Sequence, residues 1–448
     1  MDEKNYDIVI VGSGTSAYYC GYTLAGAGKK VAIVDERPYG GTCALRGCQP
    51  KKYLVANADA IAMAQHLVGQ GVESSPTTNW AQLQKLKNEF IDGLSEGSKS
   101  GYEKAGIDTY DGHAIMNSEN SILVNDSLLL KARTIVIATG SKPRKSDIDG
   151  HEHMGNSETF LDLPELPQRV MFVGGGYISF EFATVSAYAG AQATILHRSD
   201  RPLKAFDQDI VSTLLKATKE AGINLITNES PTKIEKVGDH FIVHGKSGTT
   251  YEVDLVIEAS GRVPNLSVLE RDNHHVNYTK RGILVNEYYQ SVSNPNVYAI
   301  GDVADIGYQL APVADKEGEV AAKNIINGNT ITLDYDVVPS VVFTIPNMAS
   351  VGLSEEKAKA LNIDYRVNIG TTVRWPSSKR IGEKHSAYKV LIEKGTDRIL
   401  GAHMVRHNSS EAINLFALAI KHKMCSEDLL SMIWAYPTYI SDIKYMVK

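Results

Sequence analysis

The chain reads as an α/β protein with two dinucleotide-binding units and a smaller C-terminal α+β portion. Three observations predict this. A strand, a glycine turn, a helix and a second strand follow one another from Tyr6, and again from Arg169. Each copy is answered downstream by a similar apolar run that ends in glycine. The C-terminal part mixes short strand-like runs with one apolar helix.

Tyr6-Asp7-Ile8-Val9-Ile10-Val11 is apolar and β-branched, so it predicts a buried strand. Gly12-Ser13-Gly14-Thr15-Ser16-Ala17 follows as a G-x-G-x-x-A turn, and a helix runs on to about Gly28. Lys30 to Asp35 is the next strand, and Asp35 lies 23 residues after Gly12. An acid at that place reaches a ribose hydroxyl, while Gly12, Gly14 and Ala17 let backbone approach a pyrophosphate at a helix N-terminus. Two helices are expected over 51–71 and 79–106, with Ser74 to Thr78 as the loop between them. Residues 107–131 predict short strands joined by Asn, Asp and Ser turns. Pro164, Pro167 and several acids mark 151–168 as the crossing into a second domain.

The second unit opens with Arg169 to Val173 and the turn Gly174-Gly175-Gly176-Tyr177-Ile178-Ser179. Where the first unit has Asp35, this one has His197 followed by Arg198, with Arg201 and Lys204 nearby. Cations there suit a 2′-phosphate. Ile135 to Gly140 is echoed by Val256 to Gly261, and each has a proline three residues on, Pro143 and Pro264. The expected boundaries are 1–148 for the first domain, 149–265 for the second, 266–334 for a return to the first, and 335–448 for the C-terminal domain.

Between the first unit's second strand and its next helix lies Gly40-Gly41-Thr42-Cys43-Ala44-Leu45-Arg46-Gly47-Cys48-Gln49-Pro50-Lys51. The cysteines form either a redox-active disulfide or two neighbouring cytosolic thiols. Residues five apart in a regular helix rise about 7.5 Å, and a disulfide needs Cα atoms closer than roughly 7 Å. A bridge therefore requires an irregular helix start, for which Gly40, Gly41, Gly47 and Pro50 provide bending points.

Composition narrows the classes. The chain has 448 residues, 22% of them charged, a net charge of −6 and four cysteines. No basic surface favours nucleic acid or membrane. No apolar stretch approaches the ~20 residues needed to span a bilayer. The acidic start Met1-Asp2-Glu3-Lys4 lacks an apolar signal region, and the few cysteines fit a cytoplasmic protein. Cys20 and Cys425 sit in helical patterns as structural thiols, and the Cys and His residues show no zinc spacing.

From Tyr6 to the C-terminus, these motifs resemble the FAD-dependent pyridine nucleotide–disulfide oxidoreductases, the family of glutathione reductase, dihydrolipoamide dehydrogenase and mercuric reductase. The resemblance implies FAD in the first unit, with Gly41, Thr42, Lys51, Gly140, Gly301 and Asp302 joining Gly12, Gly14, Ala17 and Asp35 around it. It implies NADPH in the second, held by Gly174, Gly176, Tyr177, Ser179, Glu181, His197, Arg198, Lys204 and Gly261. Lys51 and Glu181 match an ion pair beside the flavin, and Tyr177 an aromatic gate over the nicotinamide pocket. Electrons are expected to run from NADPH through FAD to a Cys43–Cys48 disulfide, Cys48 being nearer the flavin and Cys43 exchanging with substrate. The C-terminal domain is expected to form a homodimer.

The sequence also departs from the family. Tyr436-Pro437-Thr438-Tyr439-Ile440-Ser441 stands where relatives have His-Pro-Thr-x-x-Glu, so Tyr436 replaces the catalytic histidine supplied by the partner subunit. An ordinary tyrosine titrates near pH 10, against about 6.5 for histidine, so it can donate a proton but is a poor base. Mercuric reductases share the tyrosine but add C-terminal cysteines, absent from Met446-Val447-Lys448. Tyr22 and Glu319 align with arginines that grip glutathione, which argues against glutathione disulfide and for a neutral or basic one. The leading reading is an NADPH-dependent reductase of a small-molecule or protein disulfide. The alternatives are reduction of a metal ion, a quinone or dioxygen, and a flavin-bound interaction protein.

Overall fold

A computed structural model of the chain describes residues 2–448. The chain divides into two compact units. The first comprises Met1–Lys51, Leu86–Arg144 and Arg262–Tyr335, and the second Lys52–Lys85, Lys145–Gly261 and Asp336–Lys448. Among the described residues no helix is long and apolar enough to cross a membrane.

The first unit is built on a parallel sheet in the order Asp108–Asp111, Val31–Asp35, Asp2–Val11, Leu128–Ile137, Val297–Ala299. Ile8 to Val11 and Val31 to Val34 are buried along their length. Such unbroken apolar runs are what a sheet covered on both faces requires. An antiparallel pair, Ala114–Ser118 and Ser121–Val124, extends the sheet from the start of Leu128–Ile137. The single helix expected over 79–106 is two, Trp80–Ile91 and Leu94–Lys104, because Gly93 takes a left-handed φ of 79° between them.

The second unit repeats this plan. Its parallel sheet runs Asn224–Thr227, Gln192–His197, Arg169–Val173, Leu255–Glu258, and an antiparallel meander of Pro231–Val237, His240–Gly245 and Thr250–Val253 precedes the last strand. The turn glycines sit alike. A Cβ on Gly12 would lie 2.3 Å from the Ala138 carbonyl, and one on Gly174 2.3 Å from that of Ala259. The prolines noted in the echoed segments close the repeat, since Ser141–Pro143 pairs antiparallel with Arg262–Pro264. That pairing draws Arg262 onward into the first unit, four residues earlier than the boundary expected at 266.

Residues 52–85, expected within the first domain, pack in the second unit. Leu54, Val55, Ala58, Trp80 and Leu83 share a core with Phe160, Phe172 and Phe182. Trp80 donates Nε1–H to the Leu163 carbonyl at 2.8 Å. The C-terminal part is a five-stranded antiparallel sheet covered by the helix Ser409–Lys421, whose Ala412, Ile413 and Phe416 face Val351, Val390 and Met404 in one core.

The segment bearing Tyr436 is tied down by a buried ion pair. Arg406 donates to Asp442 at 2.7 Å, and Ser377 donates to the same carboxylate oxygen at 2.6 Å. Tyr439 packs between the guanidinium groups of Arg380 and Arg406, at 4.7 and 5.6 Å from its ring centre. Arg406→Leu leaves Asp442 charged and unpaired in the interior, which costs about 3–5 kcal/mol. Urea unfolding should register that loss, and the double variant with Asp442→Leu should recover a large part of it. Equal stability of the single variant and wild type would contradict the argument.

Candidate active site

In the first unit the dithiol sits directly on the dinucleotide turn. Gly40 and Gly41 have φ of 118° and 72°, and the helix Gly41–Arg46 starts from them. A Cβ on Gly41 would stand 2.4 Å from the Gly14 Cα, so only glycine permits this contact. Asp35 accepts from the Ser13 N–H at 2.8 Å and the Ser13 hydroxyl at 2.6 Å, and the same hydroxyl accepts the Gly40 N–H at 3.2 Å. The acid that marks the end of the second strand is thereby linked to the start of the cysteine loop. Ser13 carried no signal of its own in the sequence beyond its place between two glycines.

The helix breaks between the cysteines, as their spacing requires. Gly47 (φ −150°, ψ −110°) separates Gly41–Arg46 from the helix Cys48–His66, and a Cβ there would meet the Thr42 carbonyl at 2.9 Å. Pro50 lies in the first turn of the second helix, where its missing N–H is not needed. Cys43 and Cys48 are both thiols, half-buried and exposed respectively. The hydrogen bond from Cys43 to Cys48 pushes the Cys43 thiol well up, burial and the charges of Cys48 and Asp315 add to this, and Lys51 opposes it. Cys20 is buried and its thiol is pushed up to about 12 by burial, which makes it unreactive.

Further along the first unit, Asp302 accepts from the Ser141 hydroxyl at 2.7 Å. Arg262 donates to that hydroxyl at 2.8 Å and to the Ser141 carbonyl at 2.5 Å, so the inter-repeat ribbon also braces Asp302. The Gly140 carbonyl accepts the Asn265 N–H at 2.9 Å. Ala17 and Lys51 are buried, and Thr42 is half-buried. A dinucleotide fits this cradle: two glycine backbones meet at a helix N-terminus, and Asp35 stands at the adjoining strand end.

In the second unit, Gly174 donates to the Leu196 carbonyl at 2.9 Å, the counterpart of Gly12 and Val34 in the first. Gly176 precedes the helix Tyr177–Tyr188, with Tyr177 exposed at its start. The Ser179 hydroxyl is fully buried and has no hydrogen-bond partner, an orphan that suits a site made for a ligand. Glu181 is buried and accepts the Phe343 N–H at 2.8 Å. His197 lies over the turn, since a Cβ on Gly175 would touch its ring, and its Nε2 meets the Ser199 hydroxyl at 2.9 Å. Burial lowers its pKa, so it stays neutral near pH 7. Arg201 pairs with Glu356 at 3.0 Å. Positive charge at this strand end therefore rests on the exposed Arg198 and Lys204 rather than on the whole basic run. Gly261 takes a φ of 132° at the end of the last strand's loop.

One other expectation changes. Glu319 does not present an unbalanced negative charge: Lys316 and Lys323, three and four residues away on the helix Ala311–Asn327, pair with it at 3.0 and 2.6 Å. The helical spacing neutralises it, which removes the electrostatic argument for a basic substrate. Tyr436 is 72% exposed. Ser441, which occupies the position of the family's orienting glutamate, is buried and bonded instead to Thr438.

Two matched dinucleotide units, with a dithiol against the first turn, define a flavin- and pyridine-nucleotide-linked oxidoreductase. The chain belongs to the pyridine nucleotide-disulphide oxidoreductase family, whose sequence pattern matches residues 6–318, with the family's dimerisation domain matching 338–447. Members use FAD and NAD(P)H. The chain is 32% identical to a glutathione reductase of Burkholderia cepacia over 98% of this chain and 97% of that one. It is 31% identical to a mercuric reductase of Staphylococcus aureus over 99% of this chain and 82% of that one. Among solved structures it is similar to the Cu(II) complex of the HOCl-induced flavoprotein disulfide reductase RclA from Escherichia coli, with a TM-score of 0.90, 26% identity and 99% coverage of both chains.

Removing the Cys48 sulfur removes the largest cause that raises the Cys43 pKa. In Cys48→Ser the pH–rate profile for alkylation of Cys43 by iodoacetamide should move to lower pH than in the reduced wild type. An unmoved profile would show that the Cys43–Cys48 hydrogen bond does not set its ionisation.

Proposed function

We propose that the protein is an NADPH-dependent flavoprotein disulfide reductase that acts in the cytoplasm, as a homodimer, on a small-molecule or protein disulfide other than ordinary glutathione disulfide. The observation that carries this reading is the contact of Gly41 with Gly14, which seats the cysteine helix on the dinucleotide turn. FAD would be held by Gly12, Gly14, Ala17, Asp35, Thr42, Gly140, Gly301 and Asp302, and when bound it supplies the two-electron link between NADPH and the dithiol. Lys51 would stand beside it. Tyr177 would cover the nicotinamide position, and Arg198 and Lys204 would take the 2′-phosphate.

The dithiol performs the exchange. The Cys43 thiolate bonds to one sulfur of the substrate disulfide and expels the other as a thiolate. Cys48 then attacks Cys43, releases the second substrate thiol and closes the Cys43–Cys48 disulfide. The substrate has gained two electrons, and each released thiolate takes up one proton. In this reading Tyr436 of the partner subunit gives one of those protons. The exposure of Tyr436 leaves it available for such a role.

A second reading, reduction of a metal ion such as Cu(II), is favoured by the Cu(II) complex of the similar RclA structure. Thiolates are soft ligands that favour Cu(I), so the dithiol suits a reaction that ends in that state. Oxidation of NADPH by purified protein should be compared for disulfides, Cu(II) and quinones, in wild type and Cys43→Ser. Turnover of a disulfide that vanishes in Cys43→Ser is the expected result. Turnover with Cu(II) alone would replace the first reading with the second.

Arg198→Glu should reverse or erode a preference for NADPH over NADH. One charge-assisted contact is worth about 1.5–3 kcal/mol, so the ratio of kcat/KM values should fall about 10- to 150-fold. Equal use of both nucleotides by wild type would remove Arg198 from the site. Tyr436→Phe should slow disulfide turnover while NADPH still reduces the flavin at the wild-type rate. Unchanged turnover would leave Tyr436 as packing.

A further inference from the structure

Glu317 lies on the helix Ala311–Asn327 and is 1% exposed. One carboxyl oxygen accepts the Gly301 N–H at 2.8 Å, and the other accepts the Tyr335 hydroxyl at 2.6 Å. The Tyr335 hydroxyl also meets that of the fully buried Tyr289, at 2.9 Å. The chain closes over this group at Gly307, where a Cβ would stand 2.7 Å from the carboxyl and 2.6 Å from the Tyr335 ring. A carboxyl is costly in such a place, and an apolar residue of similar size would fill it at less expense. What the carboxyl provides is a fixed acceptor for Gly301, the residue immediately before Asp302.

Few groups near Glu317 can titrate. Asp302 faces it from the turn, and Tyr335 and Tyr289 are linked to it in one chain of hydrogen bonds, both phenols pushed up by burial. On its own helix, Asp315 is bonded to Thr15, and Lys316 and Glu319 pair with each other. The helix Thr15–Gly26, packed against it where Gly318 meets the Ser16 carbonyl, carries no Asp, Glu, Lys, Arg or His. Burial, aided by the charge of Asp302, pushes Glu317 up to about 7, so it is the group here that changes charge near neutral pH.

We propose that Glu317 is the positioning residue of the flavin turn: by holding the Gly301 N–H it sets Asp302 for FAD, and FAD binding is linked to release of the Glu317 proton. The inference rests on Gly301 and Asp302 forming part of the FAD site. An ionised carboxyl accepts both hydrogen bonds, whereas the neutral acid commits one oxygen to its own hydrogen. The turn is therefore held best above the Glu317 pKa and loosens as pH falls through it.

Apoprotein should be titrated with FAD between pH 6 and 8, following flavin fluorescence, for wild type, Glu317→Gln and Tyr335→Phe. Wild-type affinity should weaken toward pH 6 by up to about tenfold, the limit for a one-unit difference in pKa between the free and FAD-bound forms. Glu317→Gln should bind FAD more weakly and with no dependence on pH. Tyr335→Phe removes a bond that favours the carboxylate, so its pH window should move upward. A wild-type slope that survives in Glu317→Gln, or a window unmoved in Tyr335→Phe, overturns the inference. Wild type that takes up no FAD at any pH overturns the FAD site itself, and the inference with it.

Discussion

The contact between Gly41 and Gly14 is the constraint on which the first unit's chemistry depends. At this point the backbone of the cysteine helix touches the backbone of the dinucleotide turn, with no room for a side chain between them. Several features follow from that closeness. Gly40 and Gly41 must both adopt left-handed φ to turn the chain into the helix. Ser13 can span from Asp35 to Gly40 with one hydroxyl. The helix must then break at Gly47 for Cys48 to come back within hydrogen-bonding reach of Cys43. A group held by the turn and a thiol on the helix are thus placed by main chain rather than by flexible side chains, which is how a site keeps its geometry to within fractions of an ångström.

The two units show one plan used for two chemistries. Their glycine turns meet the same carbonyl position, and their sheets share a strand order. They diverge at the end of the second strand. Asp35 is fixed by Ser13 and by the Arg37 N–H at 2.9 Å, as an acceptor must be to bond a hydroxyl. His197 is instead folded onto its own turn, leaving Arg198 and Lys204 exposed. Exposed cations would suit a phosphate, because charge attraction is less directional than a hydrogen bond to a single hydroxyl. The ribbon of Ser141–Pro143 with Arg262–Pro264 joins the equivalent exits of the two repeats, and Arg262 uses it to brace Asp302 through Ser141.

Much of the site was legible because its signals are local. The turn glycines, Asp35, the cysteine spacing and its need for a broken helix all lie within short stretches, where backbone geometry alone limits which residues fit. The neutralisation of Glu319 is legible too, since Lys316 and Lys323 stand at helical spacing from it. The boundary near 262 and the placement of 52–85 were not readable. They depend on Pro143 pairing with Arg262, and on Leu54 and Trp80 finding Phe160, and no periodicity encodes such partners.

By itself the sequence determined the two dinucleotide units, their order, the dithiol and the substitution at Tyr436. Each of these is written in residue type and spacing along a few turns of chain. The tertiary structure alone decided which buried groups answer one another: Glu317 with Gly301 and Tyr335, Arg406 with Asp442, Asp302 with Ser141. The physical reason is that a buried polar group is tolerable only with a partner, and the partner is chosen by which surfaces pack together, not by distance along the chain.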